Sequence, residues 1–396
     1  MVTFDIRLTT PDDASAAWAL GSLAFGYHHE PMPADWMSRS HPGRQQWGIF
    51  DGDRLLAKAV DREQGHWFGG RVVPASGVAG VAVAADVRGG GLGRQVLTRL
   101  LVGARERGAV ISTLFHTTPF PYRRLGWEEV GALVKTAVPT MIFEGLRPPT
   151  GVTTRAATVD DLPAVHDIYA TVARAGTGMM DRTGPAFTRT PEEELTDWDG
   201  LTVAVGAGGV LGYSTWDRGP GYDASGRVLV GDLMGLTAEA TTALIAMLRQ
   251  WGSVAPTIVL RHGGADPTHL LSSVSIHGRV EQSQPWMLRL IDVAGAIAAR
   301  GWSPHVSGSV DIELTDPECP WNAGAFRLVL DGGEARWERG GTGRVRFTPR
   351  GIASWYAGAA TPGTLRRADL LDGGTDDDAF LLAATAGPTP TLLDYF

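Results

Sequence analysis

The chain has 396 residues, 43% of them hydrophobic and 20% charged; that is the composition of a folded protein, and it is too long for one core, so two or three domains are expected. A formal net charge of -8 disfavours wholesale binding to nucleic acid or to an anionic membrane, and Cys319, the single cysteine, rules out an internal disulfide and suits a reducing compartment. No run of about 18 apolar residues is present to span a bilayer, and residues 1–10 lack the basic-then-apolar order of a signal peptide, so the cytoplasm is the expected location.

In chain order, the first element is a short strand at Arg7, followed by a cap at Thr10 or Asp12 and a helix. Residues 47–60 read as a hairpin turning at Asp51-Gly52. Residues 78–84 read as a strand, and Arg88-Gly-Gly-Gly-Leu-Gly93 follows it directly. Leu92, Val96, Leu97, Leu100, Leu101 and Ala104 then fall on one face of a 3.6-residue period, giving an amphipathic helix that ends at Gly108. Residues 110–115 form the next strand. Pro148-Pro-Thr-Gly151 marks a linker.

Beyond the linker the pattern repeats. Arg7-Leu-Thr-Thr-Pro-Asp-Asp13 is echoed by Arg155-Ala-Ala-Thr-Val-Asp-Asp161, the hairpin at 47–60 by residues 202–213, and the strand at 110–115 by residues 257–261. Leu162, Val165, Ile168, Tyr169 and Val172 give the second copy its first helix. Two copies of one αβ domain, at 1–147 and 148–285, are the simplest reading. Residues 286–396 have another character: a helical run over 287–301 capped at Gly301, alternating strand patterns at 310–314, 325–330 and 343–347, and helices near 350–358 and 363–372. The fold class is therefore α/β and α+β, with two tandem αβ domains and a smaller α+β third domain.

The glycine-rich segment carries the chemistry. Gly89, Gly90, Gly91 and Gly93 let the backbone turn closely at the start of a helix, where free N–H groups and the positive end of the dipole hold a diphosphate without a metal. Arg88 and Arg94 add charge. A Walker A loop would end in Gly-Lys-Ser or Gly-Lys-Thr, whereas Arg94 follows Gly93 here; a Rossmann loop would come early in its βαβ unit, with an acidic residue about 20 positions on.

With the preceding strand, Arg88-Gly-Gly-Gly-Leu-Gly93 resembles the acetyl-CoA pyrophosphate loop of GNAT acetyltransferases, R/Q-x-x-G-x-G/A, matched at Arg88, Gly91 and Gly93. The whole chain resembles the Eis-type (enhanced intracellular survival) N-acetyltransferases, which have two tandem GNAT-like domains and a sterol-carrier-protein-like third domain. The resemblance implies an N-acetyltransferase that moves acetyl from acetyl-CoA to a primary amine of a polyamine, an aminoglycoside-like molecule or a lysine side chain. CoA would lie between splayed strands, with backbone N–H groups of Val81, Ala82 and Val83 on the pantetheine and thioester, and Leu92 in the loop. It implies a homo-hexamer and a general acid at Tyr122, in the segment before Leu125-Gly126-Trp127. The second copy lacks the loop, so it is expected to serve as scaffold.

The apolar end Leu392-Leu-Asp-Tyr-Phe396, after a proline-rich stretch, reads as a docked terminus. In Eis-type enzymes the terminal carboxylate reaches the first domain as general base, which implies Phe396 here; Asp394 is the alternative. Phe25, Tyr27, Glu30 and Trp36 would line the acceptor pocket, mixing aromatic and acidic groups suited to a cation, although Tyr27 stands where some relatives carry an acidic residue. Adjacent His28 and His29 do not easily chelate one ion together, and no metal site is expected. The alternative activity is that of a non-catalytic acyl-CoA or lipid-binding protein.

Overall fold

The computed structural model describes residues 4–27, 29–33, 36, 43–262, 267–271 and 278–396. The first half comprises β1 (Asp5–Leu8), α1 (Ala14–Phe25), β2 (Arg44–Asp51), β3 (Arg54–Phe68), β4 (Arg71–Val83), α2 (Leu92–Glu106), β5 (Ile111–Phe115), α3 (Phe120–Arg123) and β6 (Glu128–Pro139). The second half runs through β7 (Thr153–Ala156), α4 (Leu162–Ala175), α5 (Pro191–Thr196), β8 (Gly200–Gly206), β9 (Gly209–Arg218), β10 (Arg227–Gly235), α6 (Ala238–Arg249), β11 (Thr257–His262), α7 (Pro267–Leu271) and β12 (Arg279–Leu290). The last part holds α8 (Val293–Ala299), β13 (Gly308–Leu314), β14 (Gly324–Asp331), β15 (Glu334–Arg339), β16 (Val345–Phe347), α9 (Pro349–Ala357), α10 (Pro362–Arg367), β17 (Leu371–Gly373) and α11 (Asp378–Ala384).

The internal repeat is physical. Arg7 makes a two-pronged bond to Asp13 at 2.7 and 3.0 Å, and Arg155 does the same to Asp161 at 2.6 and 2.8 Å. In each copy that carboxylate also accepts from the N–H of the preceding threonine, Thr10 or Thr158. The capping pair is thus Thr10 with Asp13, rather than Asp12, because Asp13 stands three residues on and can reach back.

The two halves do not keep separate sheets. One sheet of 12 strands has the order β1-β2-β3-β4-β5-β12-β6-β11-β10-β9-β8-β7. β12 from the second half pairs with β5 of the first, and β6 from the first half pairs with β11 of the second. Each half therefore lends its last strand to the other, and β6 and β12 pair in the middle.

This arrangement corrects the helix read from residues 287–301. Met287, Leu288 and Leu290 belong to β12 and are 0% exposed; a strand buried on both faces is a continuous apolar run, which periodicity cannot separate from a buried helix. Only α8 is helical there, capped at its start by the Asp292 side chain. The strand patterns at 310–314, 325–330 and 343–347 fall in β13, β14 and β16.

The third part forms a five-stranded sheet, β15-β14-β13-β16-β17. Its core is continuous with the large sheet: Phe68, Val73, Trp286 and Leu288 pack in one cluster with Val310, Ile312, Trp355 and Tyr356. Arg289 of β12 reaches Asp316 at 2.6 Å, both side chains being buried.

Candidate functional site

β4 and β5 run parallel but pair only from Ala75 to Gly77 against Ile111 to Thr113. β4 continues to Val83 and β5 to Phe115 without further pairing. The strands thus open into a wedge, and beyond Gly77 no strand among the described residues pairs with β4 on that side.

Inside the wedge β4 carries a bulge. Val60 pairs with Ala79 and Lys58 with Ala82, so Gly80 and Val81 together oppose Ala59. Such a bulge takes one residue out of the ladder and re-aims its N–H. Gly80 sits at φ +56°, a conformation that costs glycine nothing.

α2 begins at the mouth of the wedge. Gly91, at φ +82°, is its N-cap, with no side chain bonded to the exposed amides. The first intrahelical bond runs from Gln95 N–H to Gly91 C=O at 3.1 Å, so the N–H groups of Leu92, Gly93 and Arg94 precede the ladder. Leu92, Val96, Leu97, Leu100, Leu101 and Ala104 are each at most 3% exposed and anchor the helix on the sheet; burial of the larger ones is worth about 1.5–3 kcal/mol apiece. Gly93 lies over Val83, where an added Cβ would meet the valine methyl at 3.6 Å. Arg88 is exposed and donates to the Val83 carbonyl at 3.2 Å. Arg94 is drawn to Glu318 of the third part at 2.5 Å, so its charge is shared with a carboxylate.

Tyr122 lies on α3, half-buried, edge-on to Trp127 at 6.1 Å and packed in the cluster that holds Leu114, Leu125 and α2. Burial pushes its phenol up to about 12. α3 is braced from outside: buried Glu128 accepts from Arg123 at 2.9 Å and from Arg350 of the third part at 2.7 Å.

The chain end reaches the same place. The tail lies along β6, where Gly131 gives room for the Pro390 carbonyl. Thr391 N–H donates to Thr177 C=O at 2.7 Å, Arg261 donates to Leu393 C=O at 2.6 Å, and Leu392 is fully buried. Phe396 and Tyr395 pack on Phe115, the last residue of β5, at 5.5 and 4.8 Å. Asp394 instead is bound by Arg182 and by the Tyr169 hydroxyl.

On the opposite face of β2 to β4 from α2, Trp18 of α1 packs against Tyr27 at 5.2 Å and Trp36 at 5.5 Å. Phe25 and Glu30 are exposed, Glu30 N–H donates to the Tyr27 carbonyl at 2.9 Å, and Tyr27 and Trp36 meet on Trp18. His28 lies outside the described residues. Sequence reasoning missed Trp18 and, more importantly, Arg44, Lys58 and Arg62, which lie on this face. The signal was there: Lys58 interrupts the otherwise apolar Leu55-Leu-Ala-Lys-Ala-Val60.

The second half differs at each equivalent point. Thr237 caps α6 with its own hydroxyl, where α2 has glycine. In the β10 bulge between Val230 and Leu233, Asp232 N–H donates to the Thr215 hydroxyl at 2.8 Å. A cavity of about 610 Å³ in this half, lined by Thr154, Trp216 and Trp251, is remote from the wedge. Among the described residues no group of three ligating side chains could hold a metal, and no helix is long and apolar enough to cross a membrane.

Three family profiles match the chain. Acetyltransferase (GNAT) domain profiles match residues 5–130 and 178–290, and a sterol carrier protein domain profile matches 293–391. An uncharacterized N-acetyltransferase of Streptomyces coelicolor is 30% identical over 305 residues, 73% of each chain. The crystal structure of a GCN5-related N-acetyltransferase from Kribbella flavida is 28% identical with a TM-score of 0.85, covering 100% of this chain and 99% of that one. Eis1 from Mycobacterium abscessus shares the fold, with a TM-score of 0.78 at 22% identity over 99% of this chain and 100% of its own.

Proposed function

The chain belongs to the GNAT N-acetyltransferase family, and from that premise we propose that its first half transfers acetyl from acetyl-CoA to a primary amine, in the manner of an Eis-type enzyme. The observation that carries this reading is the parting of β4 from β5 after Gly77 and Thr113, beside a helix whose first amides have no intrahelical partner. When bound, acetyl-CoA supplies the acetyl group as a reactive thioester. Leu92, Gly93 and Arg94 N–H groups, with Arg88, would hold its diphosphate.

Along the bulge, the N–H groups of Val81, Ala82 and Val83 would orient the thioester, and one aimed at the carbonyl oxygen would stabilise negative charge as the amine attacks. The Phe396 carboxylate takes the proton that the attacking amine must shed. Tyr122 gives its phenolic proton to the departing sulfur, which leaves as the neutral thiol; a phenol held at about 12 is fully protonated at neutral pH and ready to donate. With a side-chain cap on α6 and the β10 bulge amide engaged, one acetyl-CoA site per chain, in the first half, is expected.

Titration calorimetry with acetyl-CoA, paired with a thiol-release assay over a panel of amines, tests this. Gly91→Val forces a branched residue into a left-handed conformation at the cap, and should weaken acetyl-CoA at least roughly tenfold, about 1.4 kcal/mol. Unchanged affinity in that variant would remove the diphosphate from this loop. An Eis-type assembly is a homo-hexamer, which light scattering on the purified chain would reveal.

A further inference from the structure

Three cations gather on the α1 face of the hairpin β2–β3. Arg44 stands directly opposite Arg62 across the two strands, a like-charge pairing that destabilises a sheet unless something neutralises it. Lys58 is four residues from Arg62 on the same strand, so it lies on the same face. It is 4% exposed, and its ammonium lies so close to Gly21 of α1 that an added Cβ there would come within 2.8 Å. Lys58 and Arg44 both approach the Trp36 ring at 5.5 Å.

No ion pair to any of the three is present among the described residues. Glu30 acts on Tyr27, and Glu63 approaches Arg107 at 4.0 Å. An ammonium buried without a carboxylate among the described residues is costly, and burial together with Arg44 draws Lys58 down to about 8. The group cannot serve the CoA diphosphate, because α2 packs on Trp47, Ile49, Ala57 and Ala59, whereas Lys58 abuts α1. Its position beside the reacting centre is fixed by register: Lys58 pairs with Ala82 and Arg62 with Gly77, one on each side of the β4 bulge, and Tyr395 of the tail is close enough to act on Arg62.

We propose that the amine acceptor also carries an anionic group, a carboxylate or a phosphate, received by Arg44, Lys58 and Arg62 on the α1 face of β2 and β3. This rests on the transferase reading above and narrows its acceptor class away from polycationic amines. An anion here satisfies all three charges at once, and the Trp18, Tyr27 and Trp36 rings accommodate a short apolar spacer between that anion and the amine.

The test uses amine pairs that differ only in the distal charge: 1,5-diaminopentane against 5-aminopentanoate, and ethanolamine against O-phosphoethanolamine. Turnover with acetyl-CoA and direct calorimetric binding are both measured, for the native chain and for Arg62→Gln, Arg44→Gln and Lys58→Met, with circular dichroism and acetyl-CoA affinity checking the fold. The anionic member of at least one pair should be preferred by roughly tenfold or more in kcat/KM, and Arg62→Gln should raise its KM by a similar factor with acetyl-CoA affinity unchanged. The carboxylate and phosphate arms identify which anion fits. If the anionic probes bind, and the variants lose them, but nothing is acetylated, this pocket stands and the transferase reading falls. If only cationic amines turn over, or if folded variants leave the KM and the binding of the anionic members unmoved, the proposal is overturned while the transferase reading survives.

Discussion

The carboxylate of Asp394 accepts from Nη2 of Arg182 at 2.8 Å and from Nε at 3.2 Å, two residues before the chain ends. Arg182 also pairs with buried Asp232, which in turn accepts from the Tyr213 hydroxyl. One arginine of the second half therefore bolts down the tail that brings Phe396 to the end of β5. Asp394→Asn should free the tail and lower kcat roughly tenfold with acetyl-CoA affinity unchanged, whereas Arg182→Ala strands Asp232 and should cost about 3–5 kcal/mol of stability. One glycine added after Phe396 moves the carboxylate and should remove most turnover without unfolding the chain. Steady-state kinetics and urea unfolding on the three variants separate these outcomes, and full activity in the extended chain would discharge Phe396 as base.

Tyr122→Phe should lower kcat by roughly 10²-fold, the usual worth of a positioned acid. Because burial holds the phenol at about 12, ionisation of Tyr122 should leave the alkaline side of the kcat profile flat up to about pH 10, well below that value. A limb that vanishes in Tyr122→Phe but begins near neutral pH would contradict this environment.

Glu128 joins Arg123 of α3 to Arg350 of the third part. Glu128→Gln keeps the shape and removes the charge for which both arginines compete. Thermal unfolding should register a loss of about 1–3 kcal/mol, and kcat should fall severalfold with the acetyl-CoA affinity preserved, since α3 and not the diphosphate loop is released. Equal losses in affinity would show the brace acting on the whole half.

His66 is fully buried: its Nδ1–H donates to Gly178 C=O at 2.8 Å and its Nε2 accepts from the Thr113 hydroxyl at 3.1 Å. Burial draws its pKa down from 6.5 to about 4, so the unfolded chain binds the proton first. Stability should therefore decline as pH falls from about 6.5 towards 4 and level off below, losing at most about 3 kcal/mol from this group. Urea midpoints measured across that window should slope less in His66→Gln than in the native chain.

Much of this was legible in the residues. The glycine loop, the amphipathic α2 and the Arg-Thr-Asp cap shared by Arg7 and Arg155 are local patterns, and local patterns survive folding. The exchange of β6 and β12 was not legible, because pairing partners are chosen by tertiary fit and Met287 to Leu290 read equally as buried helix or buried strand. The cationic face was missed for a related reason. Arg44, Lys58 and Arg62 become one feature only when the register of β2 on β3 sets Arg44 beside Arg62. The ion pair that holds Asp394 was not legible either, because nothing near it in sequence announces Arg182, 212 residues away.

The lending of β12 to the first half sets a time as well as a shape. β5 has β4 on one side for three residues only, and its other edge stays bare until residues 279–290 exist. The wedge between β4 and β5 thus lacks its far wall in a nascent chain that has finished the glycine loop, α2 and α3. Such distant pairing closes slowly, and translation must pass the entire second half first. The proposed acetyl-CoA wedge is therefore completed late, by a strand from the second half.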